Sequence, residues 1–542
     1  MFIFANPMRK ILLTCCLLLT GFCFSQPKLV VGIVVDQMRY DYLEKYKKKF
    51  GPDGFKRLMR DGYSCENVNY NYVPTFTGPG HASIYTGTTP SVHGIVSNEW
   101  IDVAGRRRVY CTGDKNVNSV GSENAEGQMS PKNLFSSTIT DELQTAKNQK
   151  SKIIGISLKD RGAILPAGKN PTGVYWYDGK TGNWITSTYY MKELPKWVSD
   201  FNKKELPKKY LSQPWTTLLP IEKYTESDAD DNECEELFKG KDKPTFPYDL
   251  PSLMKENGDF WLIKNTPFGN TITKDMAIEA IKNESMGKDT ITDFLALSFS
   301  STDYIGHKFG PQSVEVEDCY LRLDKDIAEL LKFLDESVGK QNYLLFLTSD
   351  HGASDAVLCS QKKNVPAGVL TEKAVSDSLK KFFLKTYKDT LLLAVTDFDV
   401  YLSRERIEKK KLNIEEVQKA AAKYLRTING IADAVSATEI KEKNFQDSIR
   451  TKIKSGYNNQ RSGDIIYVLK PNWLLGFQKG TSHGSPYWYD THVPLIFFGW
   501  KIKKGSTDEP INITDIAPTI CSMLNIPNPS GCNGIPIKSL TK

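Results

Sequence analysis

Side chains that bind metal ions or act as nucleophiles recur in five short, widely separated stretches of the sequence. Asp and His are ligands that zinc accepts, and a hydroxyl group bound to a divalent ion loses its proton readily and becomes a nucleophile. Only six histidines occur in 542 residues, and three of them lie in these stretches. The pattern predicts a site for two divalent ions that transfers a phosphoryl group. The stretches are residues 34–36, 74–78, 302–307, 349–352 and 481–484.

The metal ligands are predicted from their spacing and position. Asp303 and His307 are four residues apart, so one helical turn would present both to the same ion. Asp350 and His351 are adjacent, and they either share one ion or splay to two. A single Asp-His pair is more often a surface turn, because short motifs carry a high false-positive risk. Three such pieces at the ends of predicted strands favour metal binding.

Thr77 is the predicted nucleophile. Thr77, Gly78 and the Pro-Gly-His run after them are typical of a tight loop that enters a helix, whose first N–H groups would point at an anion. Thr75 is the local alternative, and we interpret it as a loop hydroxyl. On its own, Gly78 would indicate only an ordinary turn.

The elements that must position these side chains are buried strands. Residues 29–35 form a continuous apolar, β-branched run with Asp36 at its carboxyl end, as expected for a parallel strand buried on both faces. Residues 294–299 and 343–348 lead to other candidate ligands in the same way, and a helical pattern over 316–338 lies between them. This β-α-β order predicts a right-handed crossover and a sheet whose carboxyl edge holds the site.

The length of the chain predicts two domains or one enlarged α/β domain with insertions. Residues 152–157 and 493–498 read as further strands of the same sheet. Residues 168–285 and 362–478 do not continue this alternation of strands and helices. We predict that they are insertions that form a cap or side domain beside the catalytic edge.

The amino terminus predicts export. Two basic residues precede residues 11–24, which are almost wholly apolar but too few to cross a bilayer, since about 20 are needed. We therefore predict a signal peptide over 1–25, a mature catalytic domain over 26–542 and a periplasmic or secreted location. A lipid anchor at Cys23 is the alternative, which the bulky Phe22 disfavours.

Cysteine and charge usage exclude some classes of function. Seven of the ten cysteines follow the predicted signal peptide, so at least one stays unpaired, and no CxxC metal motif occurs. Cys521 and Cys532 are a plausible local disulfide. The net charge of +7 comes from Lys-rich runs that alternate with acidic residues, which is typical of solvated helix faces. We expect no nucleic-acid binding, no membrane anchor and a monomer.

Together these motifs resemble the alkaline phosphatase superfamily. The strand ending in Asp36, the Thr77 loop, residues 86–95, the Asp303/His307 helix, the Asp350-His351 pair and the 483–485 loop follow the superfamily order, and the likeness spans about residues 28–540. Within it, the chain resembles the nucleotide pyrophosphatase/phosphodiesterase-like branch and, more closely, the PafA-type exported alkaline phosphatases. The sulfatase pattern is absent where Thr77 stands.

The resemblance implies a fold, a cofactor and a set of site residues. The fold is an α/β three-layer sandwich with a mostly parallel central sheet and cap-like insertions. The cofactor is two Zn²⁺ ions per chain. One ion is held by Asp303, His307 and His483, and the other by Asp36, Asp350, His351 and the Thr77 oxygen. The substrate is held by Asn98, which donates to a phosphoryl oxygen, and by Lys159 and Arg161, which match a Lys-x-Arg pair.

Charge balance separates the possible reactions. Two zinc ions carry four positive charges, which three carboxylates and an alkoxide cancel, so binding a phosphate dianion needs added cations such as Lys159 and Arg161. We therefore predict a zinc-dependent alkaline phosphatase that hydrolyses phosphate monoesters of small molecules through a phospho-threonine intermediate.

Three alternatives remain open. The first is a phosphodiesterase or nucleotide pyrophosphatase of the same branch, and the second is a non-catalytic phosphate- or metal-binding protein. The third, a cofactor-independent mutase, fits poorly with export. His81, His93 and His492 are interpreted as hydrogen-bonded supports rather than metal ligands.

Overall fold

A computed structural model describes residues 26–541, so the predicted signal peptide lies outside the described residues. The strands in chain order are β1 (Leu29–Val35), β2 (Tyr63–Asn69), β3 (Glu99–Asp102), β4 (Arg107–Tyr110), β5 (Ser119–Val120), β6 (Ile153–Ser157), β7 (Gly173–Asp178), β8 (Asn183–Ser187), β9 (Asp293–Phe299), β10 (Tyr343–Thr348), β11 (Gly368–Leu370), β12 (Leu392–Thr396), β13 (Asp399–Leu402), β14 (Ile431–Ser436), β15 (Ile465–Leu469), β16 (Trp473–Leu475), β17 (His492–Gly499), β18 (Gly505–Thr507) and β19 (Ile511–Asn512).

Helices alternate with these strands along much of the chain. The α-helices of six or more residues in the described part are α1 (Phe55–Asp61), α2 (Thr77–Thr86), α3 (Ile139–Ala146), α4 (Asp160–Ala167), α5 (Lys196–Asn202), α6 (Leu206–Leu211), α7 (Phe268–Asn283), α8 (Ser301–Phe309), α9 (Val314–Ser337), α10 (Val357–Lys362), α11 (Glu372–Tyr387), α12 (Arg404–Lys409), α13 (Ile414–Leu425), α14 (Ala437–Glu442), α15 (Ser448–Gly456) and α16 (Ile516–Leu524).

The large central sheet is mostly parallel. Its order within residues 26–541 is β18-β2-β17-β10-β1-β9-β6-β7-β8-β5, and β19 also pairs with β2. The five strands β10, β1, β9, β6 and β7 are parallel, and the antiparallel β17 separates β10 from β2. The parallel strands bring their carboxyl ends to one edge, where the candidate ligands follow them.

Side chains of β1 alternate between two hydrophobic cores, one on each face of the sheet. Val31 and Ile33 pack with residues of α7 and α9, whereas Val30 and Val34 pack with residues of α2, α3 and α16. Because both faces of β1 are buried, its sequence is apolar throughout rather than alternating. The resulting helix-sheet-helix arrangement confirms the predicted α/β three-layer fold.

The two predicted insertions differ in structure. The first, 168–285, contains β7 and β8, which extend the central sheet, and α7, which packs on one face of that sheet. The second, 362–478, contains a separate sheet of order β12-β13-β15-β14, with its own core under α11 and α13. Phe398 of this second unit stacks on Phe76, directly before Thr77, with ring centroids 5.8 Å apart.

The predicted Cys521–Cys532 disulfide is wrong. In the structure Cys234 is bonded to Cys359, with a Cα separation of 5.6 Å, and neither Cys521 nor Cys532 has a disulfide partner within residues 26–541. Cys521 lies on α16 within the hydrophobic core, whereas Cys532 packs beside Gly87, so closeness in sequence does not orient the two thiols for bonding.

Within residues 26–541, the helices are too short or too polar to cross a membrane.

Candidate metal centre and active site

The carboxyl edge of the sheet collects the candidate ligands. Asp36 directly follows β1, and Asp350 follows β10 by two residues. The helix α8, which starts two residues after β9, carries Asp303 in its first turn and His307 near its end. His483 comes from the loop before β17, which is bound to α8 because the Thr481 N–H donates to the His307 carbonyl at 3.1 Å.

Two clusters of metal-binding side chains result. One contains Asp303, His307 and His483, and the other contains Asp36, Asp350 and His351; within each cluster the candidate ligand atoms lie within 4.8 Å of one another. Asp303 Oδ1 lies 3.2 Å from His307 Nε2 and 3.7 Å from His483 Nε2. Within residues 26–541, these two clusters alone combine three or more His, Cys, Asp or Glu side chains so closely. Three protein ligands with a position left open is the arrangement of catalytic zinc sites.

The three histidines of the two clusters, His307, His351 and His483, all direct Nε2 toward the carboxylates. The Nδ1–H of each donates to a backbone carbonyl, which fixes the tautomer and leaves the Nε2 lone pair facing its cluster. Burial, reinforced by the charges of His351 and His307, holds the pKa of His483 well below its usual range, so its imidazole is neutral as a ligand requires. The Nδ1–H bonds run from His307 to Thr481 at 2.8 Å, from His351 to Gly352 at 3.0 Å and from His483 to Thr75 at 2.7 Å.

The carboxylates are buried and incompletely satisfied. Within residues 26–541, Asp36 Oδ1 and Asp350 Oδ2 accept no hydrogen bond. Lys159 Nζ lies 2.7 Å from Asp36 Oδ2 and 2.6 Å from Asp303 Oδ2. Unpaired buried carboxylate oxygens are costly unless a cation meets them. The donor set therefore fits divalent cations.

The charges in the centre shift the pKa values of its carboxyl groups in opposite directions. Burial, with the charges of Asp303 and Asp350 added, raises the pKa of Asp36 well above its usual range, and Lys159 only partly offsets this. Burial would also raise the pKa of Asp303, but the charges of His307 and Lys159 hold it well below the usual value. Asp303 therefore stays ionised more readily than Asp36.

Thr77 opens helix α2 between the two clusters. Its backbone neighbour Phe76 is extended, so the helix begins at Thr77 itself. Thr77 Oγ1 lies 3.5 Å from His351 Nε2 and 3.4 Å from Lys159 Nζ. The Thr75 hydroxyl instead donates to the Ser485 carbonyl at 3.1 Å. The hydroxyl of Thr77, and not that of Thr75, is presented to the metal-binding side chains.

Asn98 is held beside the nucleophile by its carbonyl oxygen. Asn98 Oδ1 accepts a hydrogen bond from the Gly78 N–H at 2.8 Å, which directs the two amide protons elsewhere. An added Cβ at Gly78 would come within 3.1 Å of that same oxygen. Asn98 is therefore fixed as a donor next to Thr77.

Lys159 and Arg161 flank the start of α4, which packs against α2. Arg161 Nη1 donates to the Tyr110 hydroxyl at 3.0 Å, and that hydroxyl donates to Asp160 Oδ1 at 2.9 Å. Arg161 Nε is buried without a hydrogen-bond partner. Lys159 thus lies beside Thr77, and Arg161 lies at the start of a helix that packs against the Thr77 helix.

Two supporting residues were not found from the sequence. Gln37, with φ of 63°, donates from its backbone N–H to Asp350 Oδ1 at 3.1 Å and from Nε2 to Asp303 Oδ1 at 2.8 Å, so it joins the two clusters. Tyr110 orients Arg161. Gly306, a glycine inside the helix that carries two candidate ligands, was the sequence signal that another group packs closely there. A Cβ at Gly306 would lie 2.0 Å from Gln37 Oε1.

The remaining histidines have supporting contacts. His81 Nδ1–H donates to the Thr77 carbonyl at 2.9 Å, and its Nε2 lies 2.9 Å from the Ser298 hydroxyl. His93 contacts Ser83, and His492 lies 2.9 Å from the Glu66 carbonyl. These contacts agree with the interpretation of all three as hydrogen-bonded supports.

Comparison with known proteins finds close relatives. Residues 30–492 match the family described as type I phosphodiesterase / nucleotide pyrophosphatase. The chain is 50% identical over 521 residues to a protein of Myroides odoratus named calcium-transporting ATPase, covering 95% of this chain and 94% of that protein. It is 48% identical over 515 residues to alkaline phosphatase PafA of Elizabethkingia meningoseptica, covering 94% of each. The crystal structure of wild-type alkaline phosphatase PafA superposes with a TM-score of 0.92 at 46% identity, over 95% of this chain and 99% of that one.

Proposed function

The chain belongs to the type I phosphodiesterase / nucleotide pyrophosphatase family, and on that premise we propose that it is an alkaline phosphatase that hydrolyses phosphate monoesters of small molecules. The observation that carries the proposal is the cation beside the nucleophile: Lys159 Nζ lies 3.4 Å from Thr77 Oγ1. The close similarity to alkaline phosphatase PafA supports the same reaction.

The two clusters are proposed as sites for two zinc ions. When bound, these ions would lower the pKa of the Thr77 hydroxyl and of the hydrolytic water, and would neutralise charge on the phosphoryl group. Fixed His tautomers and unsatisfied carboxylate oxygens support this assignment. The proposed ligands are Asp303, His307 and His483 for one ion, and Asp36, Asp350, His351 and the Thr77 oxygen for the other.

The reaction proceeds in two displacements. Thr77 Oγ attacks phosphorus, the bond from phosphorus to the alcohol oxygen breaks, and the alcohol leaves as the threonine is phosphorylated. Water then attacks the same phosphorus from the side the alcohol left, and the bond to Thr77 Oγ breaks. Asn98 donates its amide protons to a phosphoryl oxygen, which its bond to Gly78 positions it to do.

Selectivity for monoesters is assigned to Lys159 and Arg161. A monoester carries one more ionisable non-bridging oxygen than a diester, and preorganised cations stabilise that extra charge. Arg161 presents its guanidinium from a fixed position because Tyr110 and Asp160 hold it. Lys159 acts as a compact charge beside Thr77.

The proposal is tested by measuring kcat/KM for an aryl phosphate monoester and the matching diester on zinc-loaded protein, before and after chelation. Lys159→Ala and Arg161→Ala should each reduce monoester turnover by about 10²–10³-fold, as for other preorganised charge-stabilising groups, and reduce diester turnover much less. Lys169→Ala, at an exposed position, is the matched control. Equal losses for both substrates would favour the phosphodiesterase alternative.

Thr77→Ala separates an enzyme from a binding protein. Loss of the hydroxyl should abolish turnover, whereas Thr77→Ser should retain part of it because a nucleophilic oxygen remains. Absence of any turnover in the unaltered, zinc-loaded protein would favour the alternative of a non-catalytic phosphate-binding protein. We also propose a periplasmic or secreted location, supported by the amino-terminal sequence, and a monomer.

A further inference from the structure

A buried carboxylate outside the active site has no partner. Glu235 is 1% exposed, and within residues 26–541 neither of its carboxylate oxygens has a hydrogen bond or an ion pair. Glu315 is fully buried as well; its Oε1 accepts a hydrogen bond from the Tyr248 hydroxyl, and its Oε2 has no hydrogen-bond partner. Burying ionised carboxylates in this way is costly unless a cation compensates them.

Other acidic residues surround Glu235. Burial, followed by the charges of Glu315, Asp230 and Asp228, raises the pKa of Glu235 to about 11. Asp230 is bound only by the Phe246 N–H, at 3.2–3.3 Å. Asp228 lies 3.6 Å from the exposed Lys363. An ionised Glu235 is therefore strongly disfavoured among these groups unless a cation joins it.

A small cavity adjoins the unpartnered carboxylate. Its volume is about 80 Å³, and Glu235, Asp228, Asn232 and the turn at residues 309–313 line it. This space admits an ion together with one or two waters. Two carboxylates, side-chain oxygens and water are the ligands of a hard cation, and Ca²⁺ accepts such irregular sets more readily than Mg²⁺ does.

We propose that Glu235, together with Asp228 and Asn232, holds a Ca²⁺ ion in this cavity, at a structural site separate from the catalytic centre. The neighbouring sulfur, that of Cys234, is engaged in the disulfide, and no histidine lines the cavity. Zinc, which prefers nitrogen and sulfur ligands, is therefore disfavoured there.

The segment that carries Glu235 is bound to the loop of one candidate catalytic ligand, His483, and to the helix of another, His307. The Cys234 carbonyl accepts a hydrogen bond from the Gly480 N–H at 2.8 Å, three residues before His483. The Glu236 N–H donates to the Lys308 carbonyl at 2.9 Å, next to His307. An ion bound by Glu235 would hold in place the segment that contacts both the His483 loop and the His307 helix. Ca²⁺ should therefore stabilise the chain and slow the loss of zinc.

Direct binding tests the proposal on the full-length mature, zinc-loaded protein. Calorimetric titration with CaCl₂ should detect one Ca²⁺ per chain, and MgCl₂ should bind more weakly. At one hundred times the dissociation constant, Ca²⁺ should raise the unfolding temperature by about 3 °C. Glu235→Gln should abolish both effects, while Glu236→Gln, an exposed neighbour, should keep them.

Three results would overturn the proposal. One is the absence of Ca²⁺ binding by the unaltered protein. Another is equal binding by the Glu235→Gln variant, which would place the ion elsewhere, including at the catalytic centre. The third is a stability that varies with pH but not with Ca²⁺, which would mean that Glu235 and Glu315 are neutralised by protons instead. The titration needs no turnover, so it is independent of the proposed phosphatase activity.

Discussion

Replacing Gly306 by alanine tests how the two metal-binding clusters are joined. In the structure the three atoms nearest to a Cβ at this position all belong to Gln37, and the closest, Oε1, would lie at 2.0 Å. The Gln37 side chain would have to move away, and its 2.8 Å hydrogen bond to Asp303 would break.

The expected size of the effect follows from two opposing contributions. Losing a hydrogen bond to a charged group costs about 1.5–3 kcal/mol. Exchanging Gly for Ala within helix α8 contributes about 1 kcal/mol in the opposite direction. Gly306→Ala should therefore lower the free energy of unfolding by about 0.5–2 kcal/mol. Because Gln37 orients a candidate ligand, zinc affinity should also fall by about 10–100-fold.

A double-mutant cycle with Gln37→Ala supplies the control. Without the longer side chain, no tertiary contact of the new methyl group is shorter than 3.8 Å. Gly306→Ala should therefore stabilise that background by about 1 kcal/mol. Denaturant unfolding gives the stabilities, and competition with a chelator gives the zinc affinities. If Gly306→Ala destabilises both backgrounds equally, the reasoning from Gln37 is refuted.

Three further predictions concern other contacts. Tyr110→Phe should lower monoester kcat/KM by about tenfold, because Arg161 loses a 3.0 Å hydrogen bond, and leave diester kcat/KM unchanged; a matching diester loss would argue against this role. Replacing Cys234 and Cys359 by Ser should lower the free energy of unfolding by about 2–5 kcal/mol in denaturant titrations; an unchanged free energy would contradict a stabilising role for this disulfide. Burial above all raises the pKa of Asp326 to about 7, so the native chain holds a proton that the unfolded chain releases. The free energy of unfolding should therefore fall as the pH rises from about 4 to about 7, and Asp326→Asn should flatten that slope. An unchanged slope would contradict this account.

The central fold was predictable because its signals are local. Strand β1 is an unbroken apolar run, and Asp36 stands directly after it, so both the strand and the polar side chain at its end could be predicted from a short window. The same holds for β10 and the residues after it. The resemblance to the alkaline phosphatase superfamily, read from those strand ends, is confirmed by the family match and by the superposition on PafA.

The contacts that the sequence did not reveal depend on distant parts of the chain. Cys234 and Cys359 are 125 residues apart, and only the folded packing of their segments brings them together. The role of Gln37 depends on its left-handed backbone conformation and on a helix almost 270 residues later. Strand β7 has an aromatic sequence that is unlike the aliphatic β6 beside it, although it is equally buried. Its place in the central sheet is therefore a property of the tertiary structure.

The histidine anchors have a consequence for how the protein loses activity. His307 is held by the carbonyl of Thr481, in the loop that carries His483, and His483 is held by the carbonyl of Thr75, two residues before Thr77. These hydrogen bonds link the segments that carry two ligand rings and the nucleophile. Displacing one segment therefore disturbs the others as well. Inactivation on heating should therefore be all-or-none in each molecule, with metal release and loss of turnover following one time course and no partly active population accumulating between them.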